Sequence, residues 1–154
     1  MVLFIFMKKS VGDIQMKLNP DCIRQVLLFL EKNIKITTDT MGKKKTTSVT
    51  LIMLYDAKKL EKFSHDDIWY TVLKLFEGEY ISGTKFPNNP EQLTRCSIKN
   101  ITLIGHNLLD NIRDNKIWTK TKKGISELGG VSLNVISTVA GKMAAEYTKG
   151  TLGM

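Results

Sequence analysis

The chain has 154 residues, 42% of them hydrophobic and 25% charged, with a formal net charge of +8. Apolar residues are spread along its whole length, which excludes a disordered chain, and no apolar run approaches the roughly 20 residues that span a bilayer. The composition suits one globular domain, and the charge permits polyanion binding without demonstrating it. The basic excess lies towards the two ends, because residues 51–100 carry seven basic and seven acidic side chains.

The first 15 residues, "MVLFIFMKKSVGDIQ", place an apolar run before Lys8-Lys9. A secretory signal has the reverse order, so residues 1–15 read as an N-terminal extension. The first helix is expected after it. Asn19 is a good N-cap, Pro20 suits the first helical position and Asp21 complements the positive helix end. Ile23, Val26, Leu27 and Leu30 then recur at helical spacing. "IKITTDTMGKKKTTSVTL" reads as short strands, with Met41-Gly42 and three lysines at the turn. "MLYDAKKLEKF" is expected to form a short second helix with Leu54, Ala57 and Leu60 inward.

Ser64 and Asp67 have the spacing of a capping box and open a third helix. Ile68, Val72, Leu75 and Phe76 form its buried stripe, Trp69 lies at the core edge, and Gly78 ends it. "EYISGTKF" and "RCSIKNI" read as strands around the loop "PNNPEQLT". A helix follows from Thr102 as far as Leu128, with a bend, and is broken by Gly129-Gly130. Ser132 caps a last helix whose Val135, Ile136, Val139, Met143 and Tyr147 form a stripe. That stripe suits either a fold-back onto the core or an isologous homodimer. The tail from Lys149 is expected to fray.

The order helix, strand, helix, helix, strand, turn, strand, helix is that of an α+β winged helix-turn-helix with a two-stranded wing and additional C-terminal helices. The expected division is the extension, a winged-helix-like domain over 16–128, and a C-terminal helix and tail over 129–154. Cys22 and Cys96, one in a predicted helix and one in a predicted strand, form no ligand motif. They are expected to be buried thiols of a cytoplasmic protein, with a single disulfide as the other possibility.

"ITLIGHNLL" resembles the junction where winged-helix regulators leave the second wing strand and enter the next helix, with Thr102 as cap and Gly105 three residues later. "GHNLLDNIRDNKIWTKTKK", followed by "LGGVSL", resembles a small family of bacterial and prophage proteins known as a domain of unknown function. The resemblance covers roughly residues 16–149, and residues 1–15 depart from it. It implies a winged-helix-like fold and brings no substrate.

In a winged helix that binds DNA, the third helix reads base edges and the wing grips phosphate. The expected DNA-binding residues are therefore Tyr70, Thr71 and Lys74 on the helix and Lys85, Arg95 and Lys99 on the wing. Asp66 and Asp67 at the helix tip oppose phosphate, which favours the alternative of a protein–protein interaction module. Lys43-Lys44-Lys45 and Lys116, Lys120, Lys122 and Lys123 are further basic groups that either grip a backbone or form a solvated surface. His106 and Asp110, one helical turn apart, have the spacing of a base with its orienter or of two metal ligands. No nucleophile, third ligand or phosphate loop accompanies them, so they read as a helix's polar face. The expectation is a non-enzymatic protein of prophage or mobile-element type, without cofactor or metal, binding duplex DNA.

Overall fold

The computed structural model describes residues 16–84, 95–128 and 131–153. Helix α1 (Pro20–Asn33) begins where Asn19 Oδ1 accepts the Cys22 N–H at 3.3 Å, and it buries Cys22, Ile23, Val26, Leu27 and Leu30. A hairpin of β1 (Ile36–Thr38) and β2 (Lys44–Thr46) follows. Lys44 and Lys45 thus lie in a strand and Lys43 lies just before it, facing Asp39, because Gly42, with φ of 82°, completes the turn one residue earlier.

Strand β3 (Val49–Thr50) leads into α2 (Leu51–Asp56), capped by the Thr50 hydroxyl, and then into a 3₁₀ turn at Lys58–Leu60. Leu54 and Leu60 are buried and Ala57 is partly buried, as the apolar spacing predicts. Helix α3 (His65–Glu77) begins where Ser64 Oγ accepts the Asp67 N–H at 3.1 Å, and Gly78 ends it. Strands β4 (Ile81–Thr84) and β5 (Ser97–Ile101) join β3 in an antiparallel sheet of order β3-β5-β4. Cys96 sits one residue before β5 rather than within it. Both cysteines are free and buried. The intervening loop and residues 1–15 lie outside the described residues.

The chain enters α4 (Leu103–Ile112) from β5 through one residue. The Thr102 hydroxyl donates to Glu79 O at 2.6 Å and accepts the Gly105 N–H at 3.2 Å. This seats the start of α4 on the turn that ends α3. A Cβ at Gly105 would lie 2.1 Å from Tyr80 O, so only a residue without a side chain fits this approach.

The helix expected to run to Leu128 is instead two helices, α4 and α5 (Asn115–Ile125). Asp114 divides them. Its Oδ1 accepts the N–H groups of Lys116 and Ile117 at 2.7 and 3.0 Å, satisfying donors that a new helix exposes. Helix α6 (Leu133–Thr151) is capped by Ser132 and packs back on α4 and α5, with Val139 and Met143 against Gly124. It stays helical to Thr151, past the expected fraying point.

The core is made by α1, α3, the sheet and α4, extended by Trp118, Ile125 and Ile136 from α5 and α6. No helix among the described residues is long and apolar enough to cross a membrane.

Candidate nucleic-acid interface

Helix α3 turns Ile68, Thr71, Val72, Leu75 and Phe76 inward. Thr71 is 1% exposed beside Cys22, which corrects its expected place at an external contact. The reason was present in the spacing. Thr71 stands three residues after Ile68 and four before Leu75, so it shares their stripe whatever its polarity.

The opposite face carries Asp66, Tyr70, Leu73 and Glu77, with Tyr70 and Leu73 half-buried and the two acids exposed. Lys74 is committed on this helix. Its Nζ lies 2.8 Å from Glu77 and 5.3 Å from the Tyr70 ring centroid, and the Glu77 hydrogen bond raises its pKa. Trp69 is half-buried against the core, as expected of a core-edge residue. The His65 ring stacks on Tyr55 at 4.1 Å, tying the helix tip to α2. Arg95 and Lys99 are both exposed on the β5 side, while Lys85 lies outside the described residues. Of the six expected contacts, one is core and one is charge-paired, so α3 does not present a basic reading head.

His106 is exposed, and Asp110 turns away from it to accept Arg113 Nη1 at 2.9 Å. Arg113 also pairs with Glu31 of α1, whose hydrogen bond is the leading reason that its pKa is raised. The polar face that has catalytic spacing in sequence is thus a tie between α4 and α1. Among the described residues there is no group of three His, Cys, Asp or Glu side chains placed to hold a metal ion.

The basic surface lies on α5. Between Asn115 and Ile125 this helix has four lysines and no acid. Lys116, Lys120 and Lys123 share its outward face at four- and three-residue intervals, spanning roughly 10 Å at 1.5 Å per residue. None of the three forms an ion pair among the described residues. Lys120 lies 5.8 Å from the Tyr147 ring of α6. Lys122 is different. It reaches along the surface to Asp21 at 3.2 Å and lies 5.9 Å from the Trp118 ring centroid. The four lysines are visible in sequence, but only packing separates the paired one from the other three.

Two contacts fix the roll of α5. The Trp118 indole N–H donates to Asp21 at 2.9 Å. Arg24 of α1 donates to Ile112 O, Arg113 O and Asn115 Oδ1, each at 2.8 Å, across the α4–α5 junction.

A family model described as "Hypothetical protein (DUF2513)" matches residues 17–132, which span everything from α1 to the cap of α6. Comparison with curated proteins and with solved structures found no match.

Proposed function

We propose that this chain, which belongs to the DUF2513 family of hypothetical proteins, is a non-enzymatic nucleic-acid-binding protein with a winged-helix-like fold. The fold reading rests on the order of α1, β3, α2, α3, β4 and β5 and on the sheet order β3-β5-β4, in which the last strand in sequence takes the centre. The observation that carries the function is the outward stripe of Lys116, Lys120 and Lys123 on an acid-free helix. Such a stripe neutralises phosphates without reading bases, so affinity falls with salt and depends little on sequence.

The test is a titration of short duplexes at several salt concentrations. Wild type is expected to bind at low salt with a steep salt dependence. Lys116→Ala/Lys120→Ala/Lys123→Ala is expected to lower the slope of log K against log salt by about 2–3, at roughly 0.9 per lost contact. An unchanged slope removes α5 as the grip, and absence of low-salt binding removes the function.

A second reading, a protein-interaction module, is favoured by the α3 face. Asp66 would repel phosphate and suits a basic partner, Glu77 is paired with Lys74, and Tyr70 and Leu73 offer an apolar contact. Under this reading Tyr70→Ala disrupts a complex while duplex binding is untouched.

A further inference from the structure

The β1–β2 hairpin is unlike every other part of the described fold. From Lys35 to Ser48 every residue is exposed, and no side chain of the two strands belongs to the core. A two-stranded ribbon without burial is marginal alone, and this one is held by polar bonds. Asp39 Oδ1 accepts the N–H groups of Met41 and Lys43, both at 2.9 Å, and Gly42 N–H donates to Asp39 O at 3.0 Å. With Gly42 at positive φ, this is a three-residue hairpin loop of the type I plus bulge kind. At the base, the Thr47 hydroxyl accepts the Lys35 N–H at 2.9 Å and donates to Asn33 O at 3.2 Å. Thr37 Oγ1 donates to Lys45 O at 3.2 Å, and Lys44 Nζ donates to Thr38 Oγ1 at 3.1 Å. The result is a pre-shaped arm roughly 13 Å long, at about 3.3 Å per residue.

Its charge is one-sided. The arm has Lys35, Lys43, Lys44 and Lys45 against one acid, Asp39, whose carboxylate is consumed by the turn. The pairings Ile36↔Thr46, Thr37↔Lys45 and Thr38↔Lys44 put Lys44 and Lys45 on opposite faces of the ribbon. A partner surface on one side would use one of them. A groove with a phosphate wall on each side would use both. The duplex major groove, about 12 Å wide, admits a two-stranded ribbon. Met41 is 92% exposed at the tip, an apolar end that suits the groove floor better than bulk water.

We propose that the β1–β2 ribbon is a second nucleic-acid element that lies in the duplex major groove, with Lys43, Lys44 and Lys45 on the flanking phosphates and Met41 towards the base edges. It rests on the proposed nucleic-acid function but not on the α5 stripe. Because the ribbon adds nothing to the core, Lys43, Lys44 and Lys45 can be replaced with the core intact, at the loss of one exposed bond from Lys44 to Thr38.

The test compares five full-length proteins on one duplex, on a single strand of equal length, and on vesicles of anionic phospholipid. The proteins are wild type, the ribbon variant Lys43→Ala/Lys44→Ala/Lys45→Ala, its Lys→Arg counterpart, Met41→Ala, and the α5 variant Lys116→Ala/Lys120→Ala/Lys123→Ala. The ribbon variant is expected to melt as wild type does, to bind duplex at least about 10-fold more weakly, and to lose the preference for duplex over single strand. The Lys→Arg protein keeps duplex binding. Equal duplex affinity of the ribbon variant and wild type overturns the inference, even where the α5 lysines prove essential. Loss in the ribbon variant with no loss in the α5 triple-alanine protein supports the ribbon and removes the α5 grip. Vesicle binding tighter than duplex binding, and abolished by Met41→Ala, overturns the groove in favour of a lipid surface.

Discussion

The Trp118 indole donates to Asp21 Oδ1 at 2.9 Å across 97 positions of sequence, and this bond registers α5 on the first turn of α1. Arg24 and Lys122 lie 5.8 and 5.9 Å from the centroid of the same ring, so Trp118 has two cations near it and one carboxylate at its N–H. Burial works against Asp21 ionising, but the Trp118 N–H and the Lys122 ammonium outweigh it and hold its pKa below the ordinary value. Asp21→Asn keeps an acceptor for Trp118 but loses the charge facing Lys122, so it is expected to destabilise the protein by about 0.5–1 kcal/mol at pH 7. A group with a lowered folded pKa stabilises above its unfolded pKa and stops doing so as pH falls through the folded one. The gap between wild type and Asp21→Asn in urea midpoint is therefore full at pH 7 and closes below about pH 4.

Arg24 is expected to behave as a clamp rather than a charge. It satisfies Ile112 O and Arg113 O at the end of α4 and Asn115 Oδ1 at the start of α5. Arg24→Ala leaves these acceptors without it, and Arg24→Lys cannot span three of them from one ammonium. Both variants are expected to lose about 1–3 kcal/mol. Hydrogen exchange should show the loss concentrated at residues 112–118. Full stability of the Lys variant would count against the clamp.

Gly105→Ala tests the seat of α4. The added Cβ would meet Tyr80 O at 2.1 Å and Ile101 Cγ2 at 2.8 Å, and one of these neighbours is backbone. Overpacking of this kind costs about 1–3 kcal/mol. The denaturation midpoint should fall with an unchanged slope. Gly150→Ala, where no atom lies within 4 Å, is the control and should be neutral or slightly stabilising.

Cys22 and Cys96 should be inert in the native protein. Burial pushes both thiols up to about 11, so little thiolate exists at neutral pH. Alkylation at pH 8 is expected only after addition of denaturant. The sign of the pH dependence follows. Between about pH 8.5, where unfolded thiols ionise, and about 11, the folded chain binds more protons than the unfolded chain. Stability therefore falls as pH rises through that window. A urea midpoint that stays level from pH 8 to 10.5 would contradict this.

Much of the local structure was legible in the residues. Asn19, Ser64, Thr102 and Ser132 were readable as caps because a cap is decided within three residues of chain. The stripe of α1 was readable for the same reason. The break at Asp114 reads in sequence only as a bend, because Ile112, Ile117 and Trp118 keep an apolar rhythm across it. Thr71 is polar by type but lies on the buried stripe by angular position, and in the structure position prevails. The acid–aromatic outer face of α3 and the split of Lys122 from its three neighbours both depend on which way a helix rolls.

By itself the sequence determined where the capped helices begin, that the two cysteines lack a ligand pattern, and that the chain carries excess positive charge. Caps, apolar periods and counts are short-range or additive properties. Only the tertiary structure decided that α5 is a separate helix clamped by Arg24 and Asp21, that the catalytic-looking His106–Asp110 pair is not a pair, and that the β1–β2 ribbon buries nothing. Each of these depends on contacts, or on their absence, between residues far apart in the chain. Long-range packing sets the orientation of an element, and orientation determines which of its charges face solvent.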